Sequence, residues 1–294
     1  MNTPNYTLIS EIGCNHQGDI SLAKKMILEA KECGCKIVKF QKRTPKLQFT
    51  AEKYNSPHPN PKNAFGKTYG EHRENLEFSI EEHKKLKSFC EENGVEYSCS
   101  VFDIVSAKQI VSIAPKHIKI PSPINHIGEI VEYIAGEFNG NIHVSLGMTT
   151  KTEEENLIKI FKKHNKLQNT IIYHCVSAYP TLNEDASLLE ITRLKNMYTN
   201  QVQAIGLSGH HINSCLSDCI AYALGATFIE RHFTFDKTAK GSDHLISLDK
   251  NDMKQLNNEL LKTNLLLNYK EKEILNCELK TRQFHKDNYL KAEK

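Results

Sequence analysis

Eight times along this chain a short run of apolar and β-branched residues ends in a polar or ionisable one, and seven of those endings lead into a recognisable helix. The runs are TLISEIG (7–13), IVKFQKR (37–43), VEYSCSVF (95–102), HIKIPSP (117–123), NIHVSLGM (141–148), TIIYHCVSAYP (170–180), QAIGLSGH (203–210) and ATFIERHFT (226–234). Near-continuous apolar runs of this length suit strands buried on both faces. Strand followed by helix, repeated, forces parallel pairing, because each crossover returns to the same end of the sheet. The fold class this predicts is α/β, a single-domain (β/α)8 (TIM) barrel. At 294 residues the chain suffices for one such barrel and little more.

The helices between the strands are expected at residues 20–34, 80–94, 103–114, 127–138, 152–165, 186–199 and 213–225, with Gly34, Gly94 and Gly225 as stop signals. One connection is far longer than a compact βα loop requires. Residues 44–78 carry four of the nine prolines, no sustained periodicity and a cluster of His, Arg and Lys, and we read them as a substrate-contacting excursion. A last helix is expected from Asp249 past Leu267. The domain reading is a barrel over residues 1–268 and a polar tail over 269–294 that cannot build a second core.

Charge and cysteine content narrow the function classes. The net charge is +3 and the two signs are nearly balanced, which argues against a nucleic-acid partner. No stretch approaches the length of a membrane span, and the start MNTPNYTLIS lacks a signal-peptide core, so the expected location is cytoplasmic. Nine cysteines, several inside strands, read as free structural thiols.

In such barrels the chemistry lies at the carboxyl ends of the strands. The endings here are Glu11, Lys39 with Gln41, Ser100, Lys119 with Ser122, Ser145, Tyr179, His210 and His232. Two lysines and several hydroxyls converging from different strands suit a compact anion, whose oxygens each want a charge-assisted donor. His210 and His232 close adjacent strands, and two imidazoles suit a divalent ion such as Mn2+ or Mg2+ if water and substrate oxygens complete its shell. His211 points away by alternation. Glu11 can relay protons or pair with a lysine, and Asp243 can contact sugar hydroxyls, a metal-bound water or merely solvent.

The motifs themselves resemble the sialic acid synthase (N-acetylneuraminate synthase) family across nearly the whole chain. The segments are EIGCNHQGD (11–19), VKFQKR (38–43), GKTYGEHRENLEFS (66–79), SLGM (145–148), HCVSAYP (174–180), GLSGH (206–210), IERHFT (229–234) and GSDHLISL (241–248). The resemblance implies condensation of phosphoenolpyruvate with an aldose such as N-acetylmannosamine, giving a nine-carbon 2-keto-3-deoxy acid and phosphate on a metal-dependent homodimeric barrel. Carried onto matching positions, it implies His210 and His232 as metal ligands. Lys39, Lys119, Ser100, Ser122, Ser145 and Ser177 would hold phosphoenolpyruvate. Gln41, Tyr179 and Asp243 would face the sugar, and Glu11 would serve the proton transfers. The tract at residues 69–79 is closest to animal-type members, some of which use a 6-phosphorylated sugar, for which His72 and Arg73 would be the contacts.

Two departures stand out. After Lys119 the chain reads Ile-Pro-Ser-Pro-Ile-Asn-His where many members carry an acidic residue, and it stops where most begin a small antifreeze-like domain. Two further readings stay open: a metal-dependent sugar-phosphate aldolase or isomerase, and a non-catalytic barrel that binds a sugar or a partner protein.

Overall fold

The computed structural model describes residues 5–212 and 214–289. The first four residues, Asn213 (where the sequence places the start of the seventh helix) and the last five residues of the tail lie outside the described residues. Eight parallel strands close on themselves in chain order: β1 (Thr7–Gly13), β2 (Ile37–Lys42), β3 (Glu96–Val101), β4 (His117–Ile120), β5 (Asn141–Ser145), β6 (Thr170–Cys175), β7 (Ala204–Gly209) and β8 (Phe228–His232). The ring closes where β1 pairs with β8, Glu11 lying opposite His232.

Eight helices pack outside the strands: α1 (Ile20–Glu32), α2 (Ile80–Glu92), α3 (Ile104–Ser112), α4 (Gly128–Glu137), α5 (Lys151–Lys163), α6 (Leu189–Tyr198), α7 (Leu216–Leu224) and α8 (Lys250–Leu266). Several begin on side-chain caps that satisfy otherwise orphaned amides. Asp19 accepts from Ser21 and Leu22 at the start of α1, and Thr150 with Glu153 closes a capping box on α5. Gly225 ends α7 in the left-handed region at φ 114°, a conformation that favours glycine over residues with a Cβ. The main apolar core lies between strands and helices, where Leu8, Val38, Ile118 and Val144 meet Met26, Leu86, Ile110 and Ile134. A smaller apolar cluster of Ile9, Ile37, Ile171 and Tyr173 lies inside the barrel.

The strands end earlier than the apolar runs do. β4 stops at Ile120 because Pro121 and Pro123 have no amide to continue the ladder, so Ser122 sits in a short 3-10 turn, Ser122–Ile124. Likewise β6 stops at Cys175, leaving Ser177 and Tyr179 on the loop beyond it, and His210 lies one residue past β7.

The excursion is more structured than its composition indicates. It contains the short helices Pro45–Gln48, Ala51–Asn55 and Tyr69–Glu74 and a 3-10 turn at Pro61–Asn63, the last of the three helices opened by a Thr68/Glu71 capping box. The polar tail contains a helix, Leu279–Tyr289. Residues 279–286 are all exposed, so this helix lies on the surface rather than founding a second core. Among the described residues no helix is long and apolar enough to cross a membrane.

Candidate active site at the barrel mouth

Side chains alternate faces along a strand, so inward residues recur every second position. Ile9 therefore leads to Glu11, Ile37 to Lys39 and Gln41, His117 to Lys119, and His143 to Ser145. By the same alternation Tyr173 leads to Cys175, Ser208 to His210, and Glu230 to His232. These series deliver the predicted residues into one open cup of about 380 Å3. It is lined by Glu11, Lys39, Gln41, Ser100, Lys119, Ser122, Ser145, Tyr179, His210, His232, Asp243 and, from the excursion, Arg73. Of the thirteen predicted site residues only Ser177 is absent from this lining. It stands at the edge, where a Cβ built on Gly147 would lie 2.3 Å from its Oγ and 2.7 Å from that of Ser122. Gly147 thus leaves open a small hollow ringed by two hydroxyls, and its own amide donates to Ser122 Oγ at 3.0 Å.

The floor is a charge network. Lys39 forms an ion pair with Glu11, donates to Ser100 Oγ at 2.8 Å and lies 3.6 Å from Glu230. Lys119 donates to Glu230 Oε1 at 2.6 Å, and that oxygen also accepts from Ser208 at 2.9 Å. The cup is therefore not simply cationic, as the strand endings imply, because Glu230 compensates both lysines. Sequence reading missed Glu230, Ser208 and Arg43, which also line the cup. Their signal was the period of two: Glu230 precedes His232, Ser208 precedes His210 and Arg43 follows Gln41, each by two residues.

Environment drives the two carboxyls apart. Burial pushes Glu11 up, and the opposing attraction of Lys39 does not offset it. Burial acts on Glu230 too, yet Lys119 and Lys39 together hold it below the ordinary carboxylate range. Glu11 is thus the one that takes up a proton more readily, an arrangement suited to acid–base work. The lysines diverge likewise: burial opposes the charge on Lys39 but Glu11 and Glu230 raise it, whereas burial lowers Lys119 despite Glu230.

Gln41 is held at both ends, donating to Glu11 Oε1 at 2.6 Å and accepting from Arg43. Arg43 also pairs with Glu77 at 3.2 Å and stacks 3.9 Å over Phe102. Arg73 donates to Tyr69 at 3.1 Å, and its Nε is buried without a hydrogen-bond partner. His72 does not join it. Its Nδ1 accepts from the Phe65 amide at 3.1 Å inside the excursion, and burial lowers it to about 4, so it contributes no charge near neutral pH.

His210 and His232 approach with ring centres 5.7 Å apart. Nδ1 of His210 bonds the Val176 carbonyl at 2.9 Å, which directs Nε2 elsewhere. Burial lowers His232, and its Nδ1 is buried without a hydrogen-bond partner, 3.9 Å from Asp243 Oδ2. An orphaned imidazole nitrogen in a polar cup fits a cation's ligand. Among the described residues no group of three or more His, Cys, Asp or Glu is arranged to hold a metal ion, and the candidate ligands in the cup are the two imidazoles. His211 does point away, into a buried cluster with Asp218 at 2.9 Å and Arg231 at 2.6 Å.

Residues 26–272 match the NeuB family. The chain is 40% identical over 253 residues to an N-acetylneuraminate-9-phosphate synthase of Drosophila melanogaster, which covers 85% of this chain and 65% of that protein. To the synthase of the same name from Mus musculus it is 35% identical, covering 92% of this chain and 74% of that one. The chain thus spans about two thirds to three quarters of these relatives' lengths. Among solved structures, an N-acetylneuraminic acid synthetase of Leptospira borgpetersenii in complex with citrate superposes with a TM-score of 0.80 at 27% identity, covering 96% of this chain and 91% of that one.

Proposed function

Because the chain belongs to the NeuB family, we propose that it condenses phosphoenolpyruvate with N-acetylmannosamine or a related aldose, giving a sialic-acid-type nonulosonate and phosphate. The observation that carries this reading is the convergence of Lys39, Lys119, His210 and His232 on one cup, with the Ser122–Gly147–Ser177 hollow at its edge. In this reading the lysines, with Ser100 and Ser145, take the phosphate and carboxylate of phosphoenolpyruvate, exchanging part of their pairing with Glu11 and Glu230 for the ligand's charge. Ser145 Oγ is buried and free of a hydrogen-bond partner, so it has a proton to give.

His210 and His232 would hold a divalent cation, Mn2+ or Mg2+, with water and substrate oxygens completing its shell. Such an ion supplies Lewis acidity to the aldehyde oxygen. Carbon 3 of phosphoenolpyruvate bonds to the aldehyde carbon, positive charge develops at carbon 2, and water adds there. Phosphate then leaves with cleavage of its carbon–oxygen bond. Glu11 stands beside this sequence as the carboxyl that accepts and returns protons, steadied by Gln41 and Lys39. Gln41, Tyr179, Asp243 and Arg73 face the aldose.

The aldose we favour carries a 6-phosphate. Both animal relatives are named for a 9-phosphate product, and carbon 6 of the aldose becomes carbon 9 of the condensation product. Arg73, cationic and with an unused donor, is the group that would meet it. Incubating the protein with phosphoenolpyruvate, Mn2+ and either N-acetylmannosamine or its 6-phosphate should release inorganic phosphate, faster with the phosphorylated sugar. Conversion of a sugar phosphate without phosphoenolpyruvate would instead support an aldolase or isomerase, and no turnover of any aldose would support a binding barrel.

A further inference from the structure

TIM barrels ordinarily fill the layer beneath the active site with branched aliphatic side chains. Here much of that layer is polar and continuously hydrogen-bonded. His117, two residues before Lys119 on β4, donates from Nε2 to Glu96 Oε2 at 2.6 Å. Its Nδ1 lies 3.0 Å from Nε2 of His143, two residues before Ser145 on β5. Nδ1 of His143 in turn lies 2.7 Å from the hydroxyl of Tyr173, two residues before Cys175 on β6. The ring of Tyr173, fully buried, lies flat beneath Lys119, whose Nζ is 4.3 Å from its centre.

Glu96 at the base of the barrel can only accept, so His117 carries a proton on Nε2. A neutral His143 carries one proton, so it donates to one of its two neighbours, His117 and the tyrosine hydroxyl, and accepts from the other. Burial keeps His143 well below its ordinary range, so it is neutral, and the run holds it in one tautomer with the tyrosine hydroxyl in one orientation. The barrel also makes room for the column: a Cβ on Gly206 of β7 would lie 2.6 Å from the Tyr173 ring.

We propose that Glu96, His117, His143 and Tyr173 form a positioning column that holds the Tyr173 ring beneath Lys119 and so sets the lysine's place in the anion-binding cup. This rests on the functional reading above for the identity of the anion, but not for the column itself. None of the four lines the cup. Tyr173 acts through Lys119 as a positioning residue, its ring face attracting the desolvated ammonium. Glu96 acts at longer range, through the tautomers.

The test compares Tyr173→Leu, Tyr173→Phe and Glu96→Ala with the wild type. Tyr173→Leu should raise the phosphoenolpyruvate KM about tenfold with the aldose KM unchanged, a cation–π contact of this kind contributing about that factor. Tyr173→Phe keeps the ring but cuts its bond to His143, so it should raise the same KM less than Tyr173→Leu does, by about as much as Glu96→Ala. Glu96→Ala should raise the same KM about threefold and turn the single His143 tautomer, read from imidazole 15N shifts, into a mixture. Losses of thermal stability with both KM values unchanged would overturn the proposal. Should Tyr173→Leu fail to fold, Glu96→Ala at the barrel base decides it, unchanged tautomers and KM counting against the column. If the wild type releases no phosphate with any aldose, the functional reading falls. The column is then judged by NMR alone: the Lys119 side-chain protons should show upfield ring-current shifts in the wild type that weaken in both Tyr173→Phe and Glu96→Ala, and their absence in the wild type, or their full retention in both variants, would overturn it.

Discussion

Gly147 shows how much of the candidate site rests on an atom that is not there. A Cβ would press on two serine hydroxyls, and because each can rotate away, Gly147→Ala should fold with little loss of stability while closing the hollow. The expected result is a phosphoenolpyruvate KM raised at least about tenfold, the scale of one lost charge-assisted hydrogen bond, with a nearly unchanged melting temperature; calorimetric titration with phosphoenolpyruvate would measure it. His210 and His232 act as a pair in the same sense. Either change to Ala should leave the fold intact, abolish tight Mn2+ binding by calorimetry and reduce turnover by at least about a hundredfold, since polarising the aldehyde contributes several kcal/mol to the barrier. Full turnover after exhaustive chelation would remove the metal from the reading.

At the scale of elements, the excursion over residues 44–78 is the part that composition describes least well. Its short helices are held by capping side chains and close contacts, such as the approach of Tyr54 to Gly70, where a Cβ would lie 2.3 Å from the ring. Its product is local: Arg73 reaches the cup while its neighbour His72 turns inward. Binding energy from a contact away from the reacting carbon lowers the barrier only by positioning the aldehyde. Arg73→Ala should therefore raise the KM of a phosphorylated aldose by about ten- to a hundredfold, and leave the phosphoenolpyruvate KM within about twofold. Equal effects on both substrates in steady-state kinetics would show that the excursion is not a sugar contact. The strands, by contrast, were legible as elements, because buried parallel strands are long apolar runs. Their ends were not, since a proline such as Pro121 ends the ladder inside an otherwise strand-like run.

Across the whole molecule, closure ties distant segments together. Arg231 on β8 and Asp218 on α7 are both fully buried and 2.7 Å apart, with His211 bonded to each, which fixes the last helix–strand unit behind the two cup imidazoles. Removing one charge of such a pair leaves the other uncompensated in a dry interior. Asp218→Asn should lower unfolding free energy by about 3–5 kcal/mol, read as a drop in the urea midpoint, and a change under about 1 kcal/mol would contradict this account. The sequence by itself determined the order of strands and helices and which residues face inward, because both follow from local periodicity. That was enough to bring Glu11, Lys39, Lys119, His210 and His232 to one end of the barrel. Only the tertiary structure decided who pairs with whom. Lys119 and Glu230 are 111 residues apart and Lys39 and Ser100 are 61 apart, and they meet because the closed sheet carries their strands into one ring. Contacts across that ring depend on strand tilt and side-chain reach, which no single strand's pattern encodes.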